Sequence, residues 1–258
     1  MSVIVLAVVS LLASLSEAAS VLTQSGVVKG GSSQFRGLER NGSLHTFQGI
    51  PYAEPPTGVR RLLAPVPVRS WEGSLDVSGE PASQCLQPSP ISHQIVGDED
   101  CLFLNIYTEL LPQPASHIHH LRPVFFWIHG GSFKIGSGTF KGMNMDLLVE
   151  AGLVVVTVNY RLGPLGFLAL PGTEISGNQG LKDQLLALRW VKQNIANFGG
   201  DPSRITIAGM SAGGVSVHAH ILSPWAAEEQ LFQAGISFRQ EINDFWDYLA
   251  FMPFIHFS

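Results

Sequence analysis

Apolar residues along this chain gather in short runs whose periods differ. Residues 102–107, 124–128, 153–158 and 205–208 are rich in Val, Ile, Leu and Phe on both alternating faces. Such runs predict strands of a sheet covered on both sides. Between the last two lies another pattern. Leu181, Leu185, Leu188, Val191 and Ile195 recur at spacings of four and three, so residues 180–198 read as a helix with one apolar face. The sequence Phe198-Gly199-Gly200-Asp201-Pro202 ends it. A final strand-like run covers residues 231–238. Strand, helix, strand and helix in succession predict an α/β fold with a largely parallel sheet.

Two segments stand outside this alternation. Residues 3–15 form an apolar run followed by the small residues Ser16, Ala18, Ala19 and Ser20. The run is too short to span a bilayer and reads as a signal peptide occupying residues 1–20, which makes the chain secreted. Residues 239–258 carry Phe245, Trp246, Tyr248, Phe251, Phe254 and Phe257 without strand alternation or a capped helix. They are set aside as a divergent tail, leaving 21–238 as the domain. No segment reads as a membrane span.

A secretory route changes the reading of the cysteines. Cys85 and Cys101 are the only two, and they form either one disulfide or two buried thiols; an oxidising compartment favours the disulfide. Asn41-Gly42-Ser43 is the one glycosylation sequon, and its glycine predicts an exposed turn. Composition adds exclusions. The 258 residues are 45% hydrophobic and 14% charged, enough for a sizeable core, and the net charge of −5 comes without a basic stretch. Nucleic acid and anionic membrane surfaces are therefore poor partners.

Candidate chemistry sits where two predicted strands end. Gly209-Met210-Ser211-Ala212-Gly213 follows the run at 205–208 and precedes a helical stretch beginning near Val215. A strand–tight turn–helix setting pushes a serine out at the end of a sheet, with the helix N-terminus behind it. His129-Gly130-Gly131-Ser132 follows the run at 124–128. Adjacent glycines there let backbone N–H groups point into an open site, as an oxyanion hole requires.

The two motifs, together with residues 47–56 (FQGIPYAEPP), 99–107 (EDCLFLNIY), 159–163 (NYRLG) and the block from Gly177 to Gly214, resemble the type-B carboxylesterase and cholinesterase family. The resemblance covers about residues 21–238. It implies an α/β-hydrolase fold, with an N-terminal β-hairpin region and a mostly parallel central sheet that stops after the nucleophile helix and one further strand. It implies carboxylic ester hydrolysis through an acyl-serine, with a small-molecule ester as partner and no cofactor or metal. Ser211 matches the nucleophile. Gly131, Ser132 and Ala212 match the oxyanion donors, with Gly130 shaping the turn. Cys85–Cys101 matches the first disulfide loop, and Arg61–Glu99 and Arg161–Asp183 match two structural ion pairs.

The chain also departs from the family. Ser132 stands in place of a third glycine, but the donor there is main-chain. Met210 replaces a glutamate, and the Cys85–Cys101 loop has no Trp to hold a quaternary ammonium. Both argue against choline esters and resemble the insect-type general esterases. The triad acid and histidine belong after the serine, on later strands, whereas residues 212–258 leave room for one helix and one strand. His218, His220, His256 and the acids Glu241, Asp244 and Asp247 lack the spacing for those roles, and the cluster His117, His119 and His120, in a Pro-rich polar setting, reads as an exposed loop rather than a metal site. The chain therefore reads as a partial esterase domain without triad acid or histidine, inactive or weakly active. A non-catalytic cholinesterase-like binding or adhesion domain is the alternative.

Overall fold

The computed structural model describes residues 19–36, 39, 41–112, 120–139 and 145–238. Strands β1 (Ala19–Leu22), β2 (Val27–Arg36), β3 (Asn41–Pro51) and β4 (Ser74–Asp76) open the chain, followed by a two-stranded ribbon of β5 (Gln87–Pro88) and β6 (Ile95–Val96). Then come β7 (Phe103–Thr108), β8 (Arg122–Ile128), α1 (Met145–Glu150), β9 (Val154–Val158), α2 (Gly163–Phe167) and α3 (Gln179–Asn194). The last elements are β10 (Gly200–Met210), α4 (Ala212–Leu222), α5 (Pro224–Glu228) and β11 (Ala234–Phe238).

Nine strands form one mixed sheet in the order β1-β2-β3-β7-β9-β8-β10-β11, with β4 beside β2. Its two halves differ in kind. The pairs β1–β2, β2–β3, β3–β7 and β7–β9 are antiparallel. From β9 onward the sheet is parallel through β8, β10 and β11. Parallel neighbours need crossovers, and α1, the α2–α3 pair and the α4–α5 pair provide them. This is the expected α/β architecture with an antiparallel N-terminal region.

Burial explains the strand patterns. All five residues of β9, Val-Val-Val-Thr-Val, are buried, as a strand covered on both faces must be. In α3, Leu185, Leu188 and Val191 are buried, and the face continues through Ile195 and Phe198 in a following 3-10 turn. Gly199, at φ 83°, ends that turn. The Phe198 ring meets Phe47 edge-on at 4.9 Å, tying the helix layer to β3.

Some boundaries moved. The strand expected at 205–208 extends back to Gly200, with a register irregularity between Gly200 and Ile205 where Pro202 has no N–H to donate. The strand expected at 231–238 begins only at Ala234. Leu231 instead donates its N–H to Ala226 O at the end of α5, and Gln230 takes a positive φ of 49°. Asn41-Gly42-Ser43 is not a turn but the start of β3, paired with Arg36, Phe35 and Gln34 of β2; Asn41 is exposed. Residues 1–18 and 239–258, with His117, His119, His256, Glu241, Asp244 and Asp247, lie outside the described residues. Among the described residues no helix is long and apolar enough to cross a membrane.

Candidate active site at the ends of strands β8 and β10

Ser211 is the single residue between β10 and α4, with φ 56° and ψ −120°. A non-glycine residue in that region costs about 1–3 kcal/mol and is kept only when its surroundings dictate it. The surroundings here are backbone. A Cβ on Gly209 would collide with the Gly213 main chain, and one on Gly213 with the Ile128 carbonyl oxygen. A Cβ on Gly130 would come 2.5 Å from the Met210 carbonyl oxygen. The Gly-x-Ser-x-Gly spacing thus follows from two chain segments crossing at backbone contact. The Ser211 N–H donates to Phe238 O at 3.1 Å, so β11 holds the turn from its other side. Ser211 is half-buried and its Oγ makes no hydrogen bond to any described residue.

The turn after β8 lies against this corner. Gly131 has φ 106°, and Ser132 and Phe133 follow at φ 57° and 55°. Three successive left-handed residues turn the chain back on itself, and the Gly131 carbonyl accepts from the N–H groups of Lys134 and Ile135 at 3.0 Å. The N–H groups of Gly131, Ser132 and Ala212 enter no hydrogen bond among the described residues. That of Ala212 opens α4, whose dipole is positive at this end.

Several side chains fix the turn, and they account for sequence blocks that otherwise look unrelated. Tyr160 Oη donates to His129 O at 2.8 Å, and its ring stacks on the His129 imidazole at 4.3 Å. Asn159 Oδ1 accepts from Gly138 N–H at 2.8 Å. Arg161 forks onto Asp183, with Nε–Oδ2 at 2.8 Å and Nη2–Oδ1 at 2.6 Å, and Asp183 Oδ2 also accepts the Arg161 N–H at 3.0 Å. Both side chains are nearly fully buried. Arg61 and Glu99 also pair, at 2.7 Å, but in partly exposed positions. A disulfide joins Cys85 to Cys101. In its loop lies Gln87, whose amide accepts from Gly136 N–H at 2.6 Å and donates to Gly136 O at 2.8 Å. Sequence reasoning missed Gln87, because a lone Gln in a loop has no spacing signature.

The histidines are occupied elsewhere. His129 is buried, Nδ1 faces Gly130 O at 2.8 Å, and burial pulls its pKa down to about 4. His220 is buried with Nε2 2.9 Å from Gln184 Oε1, and burial likewise lowers it to about 4. Gln184 Nε2 donates to Ser216 Oγ at 3.1 Å, and Ser216 Oγ donates to Ala212 O at 3.0 Å. This chain of hydrogen bonds, not visible in the sequence, braces the first turn of α4 beside Ser211. His218 is half-buried on α4. The described residues thus bring together Ser211, Gly130, Gly131, Ser132 and Ala212, and place no imidazole in hydrogen bond with the Ser211 hydroxyl.

Known proteins share this arrangement of sequence and fold. A model of the carboxylesterase family matches residues 17–246. The chain is 45% identical over 195 residues to venom carboxylesterase-6 of Apis mellifera, covering 74% of this chain and 33% of that protein. It is 42% identical over 229 residues to esterase E4 of Myzus persicae, covering 87% and 40%. The crystal structure of the Geobacillus stearothermophilus carboxylesterase EST55 superposes with a TM-score of 0.72 at 38% identity, over 84% of this chain and 42% of that one. The chain spans between a third and two fifths of the length of these curated relatives. With the family model matched along most of its length, the chain belongs to the carboxylesterase family.

Proposed function

We propose that this chain carries the nucleophile and oxyanion site of a serine carboxylic ester hydrolase. The observation that carries the reading is Ser211, held at φ 56° between β10 and α4 against Gly130 of a turn whose Gly131 and Ser132 N–H groups enter no hydrogen bond among the described residues. In the reaction the Ser211 oxygen attacks the ester carbonyl carbon, the carbonyl oxygen becomes an oxyanion, and N–H groups of Gly131, Ser132 and Ala212 receive its charge. The C–O bond to the alcohol then breaks. The serine proton passes through a base to the departing alkoxide, and water hydrolyses the acyl-serine. Among the described residues none is placed to act as the base or as its acid partner.

Without a base, Ser211 is a weak nucleophile, and the rate falls by about a millionfold relative to a complete triad, with residual catalysis from the oxyanion donors. Met210 and the absence of Trp between Cys85 and Cys101 direct the reading away from choline esters. Secretion after removal of residues 1–20, which would take Ala19 and Ser20 from β1, glycosylation at the exposed Asn41, and a domain of residues 21–238 followed by a divergent tail complete the proposal. Turnover of p-nitrophenyl butyrate by the secreted chain tests it. Weak hydrolysis lost in Ser211→Ala, with acetylthiocholine untouched, is expected. Hydrolysis unchanged in Ser211→Ala refutes the assignment.

A second reading has one observation in its favour, the Ser211 hydroxyl without a hydrogen-bonded base among the described residues. On that reading the domain binds a partner and performs no chemistry. A folded chain showing no Ser211-dependent hydrolysis decides for it.

A further inference from the structure

A cavity of about 420 Å³ lies between the first half of α3 and the α4–α5 junction. Its walls include Leu181 and Leu185 with the largely exposed Leu222 and Trp225, and the buried His220 lines both this hollow and a neighbouring one. Volume and lining both suit a small-molecule site, where apolar walls enclose a few fixed polar groups. The polar group here has a defined sense. Ser216 Oγ donates to Ala212 O, so it accepts from Gln184 Nε2, which leaves Gln184 Oε1 to accept from His220 Nε2–H. With Nε2 carrying the proton, Nδ1 is a bare lone pair, and it has no partner among the described residues. Burial keeps the ring neutral down to about pH 4. The other ionisable group on the lining, Lys182, already directs its ammonium to Ser176 Oγ at 2.7 Å and Gly177 O at 3.0 Å.

We propose that this cavity is a binding site for a lipophilic alcohol, whose hydroxyl donates to His220 Nδ1 and whose hydrocarbon body lies against Leu181, Leu185, Leu222 and Trp225. A carboxylate of the same length has no proton to give and sets its charge against the lone pair, so the site distinguishes an alcohol from an acid. The proposal does not depend on the assignment of Ser211, since no residue of that corner lines the cavity.

Calorimetric titration of the chain at pH 7 with 1-octanol and with octanoate tests it. Octanol is expected to bind about tenfold more tightly than octanoate, the equivalent of one hydrogen bond. Leu181→Trp, which fills the cavity from a half-buried position, should abolish binding while the circular dichroism spectrum stays unchanged. His220→Phe should weaken octanol about tenfold and erase the preference; if that variant does not fold, the other two arms still decide. Equal affinity for the two ligands overturns the proposal, as does octanol binding that survives Leu181→Trp. A dimer that buries this face, dissociated by Leu222→Lys, with no octanol bound, also overturns it and makes a second copy the occupant.

Discussion

Strand β10 divides two unlike regions. On its β8 side, polar groups around the turn are committed: Tyr160 to His129, Asn159 to Gly138, Gln87 to Gly136, and Arg161 to Asp183. On its β11 side the strand is mostly exposed, with Ile236 at 41% and Phe238 at 44%, and Ser237 Oγ is buried without a hydrogen-bond partner among the described residues. The Ser211 corner sits between them and takes its rigidity chiefly from the first. The difference teaches that the glycine turn after β8 and the strained serine are specified by the scaffold of β8, β9 and α3. Activating that serine is a separate requirement, and among the described residues no imidazole is hydrogen-bonded to it.

The contrast breaks most sharply at the ion pairs. Arg161→Met leaves Asp183 charged and buried, and should cost about 3–5 kcal/mol. Arg61→Met, at a largely exposed pair, should shift the unfolding midpoint little if at all. Urea unfolding monitored by fluorescence checks both, and comparable costs would erase the distinction between the regions.

Acid tests the buried imidazoles next. His129 and His220 have folded pKa values of about 4, below the ordinary value of 6.5. The unfolded chain therefore binds more protons as pH falls. The stability each neutral ring contributes is complete above pH 6.5 and lost between pH 6.5 and 4, by roughly 3 kcal/mol per histidine. His220→Gln should remove about half of that pH dependence in thermal melts between pH 7 and 4. An unchanged slope counts against a neutral buried His220.

The glycine contacts give a smaller difference of opposite signs. Gly213→Ala drives a methyl into the Ile128 carbonyl oxygen and should destabilise by about 1–3 kcal/mol. Ser237→Ala, on the β11 side, removes an unpaired buried hydroxyl and should be neutral or stabilising by about 1 kcal/mol. The smallest effect belongs to Ser132, exposed at φ 57°. Ser132→Gly relieves the left-handed strain and adds unfolded-state entropy, so the net change should lie within about 1 kcal/mol.

How much of this was legible in the sequence depended on periodicity. Strands β7, β8 and β9 and helix α3 were readable because burial on one or both faces writes a repeat of 2 or 3.6 into the residues. Strand β2, Val-Val-Lys-Gly-Gly-Ser-Ser-Gln-Phe-Arg, has little such repeat. Its pairing with β3 rests on backbone hydrogen bonds that side chains do not announce. Ser211, Gly131 and Ala212 were legible because close backbone approach demands small residues at fixed spacing. Gln87 and the His220–Gln184–Ser216 chain were not, since residues brought together from different elements leave no local pattern. The start of β11 was misjudged because Leu231 is buried in the core while its N–H bonds Ala226 O of α5 instead of joining the sheet.

The most direct test of the central claim is reaction of the folded chain with a fluorophosphonate, followed by peptide mass mapping. A Ser211 that is strained, set beside the unbonded N–H groups of the β8 turn and without a hydrogen-bonded base among the described residues should form a slow, single adduct at Ser211 that is absent from Ser211→Ala. An adduct at another serine, or none on a chain shown to be folded by circular dichroism, contradicts the account.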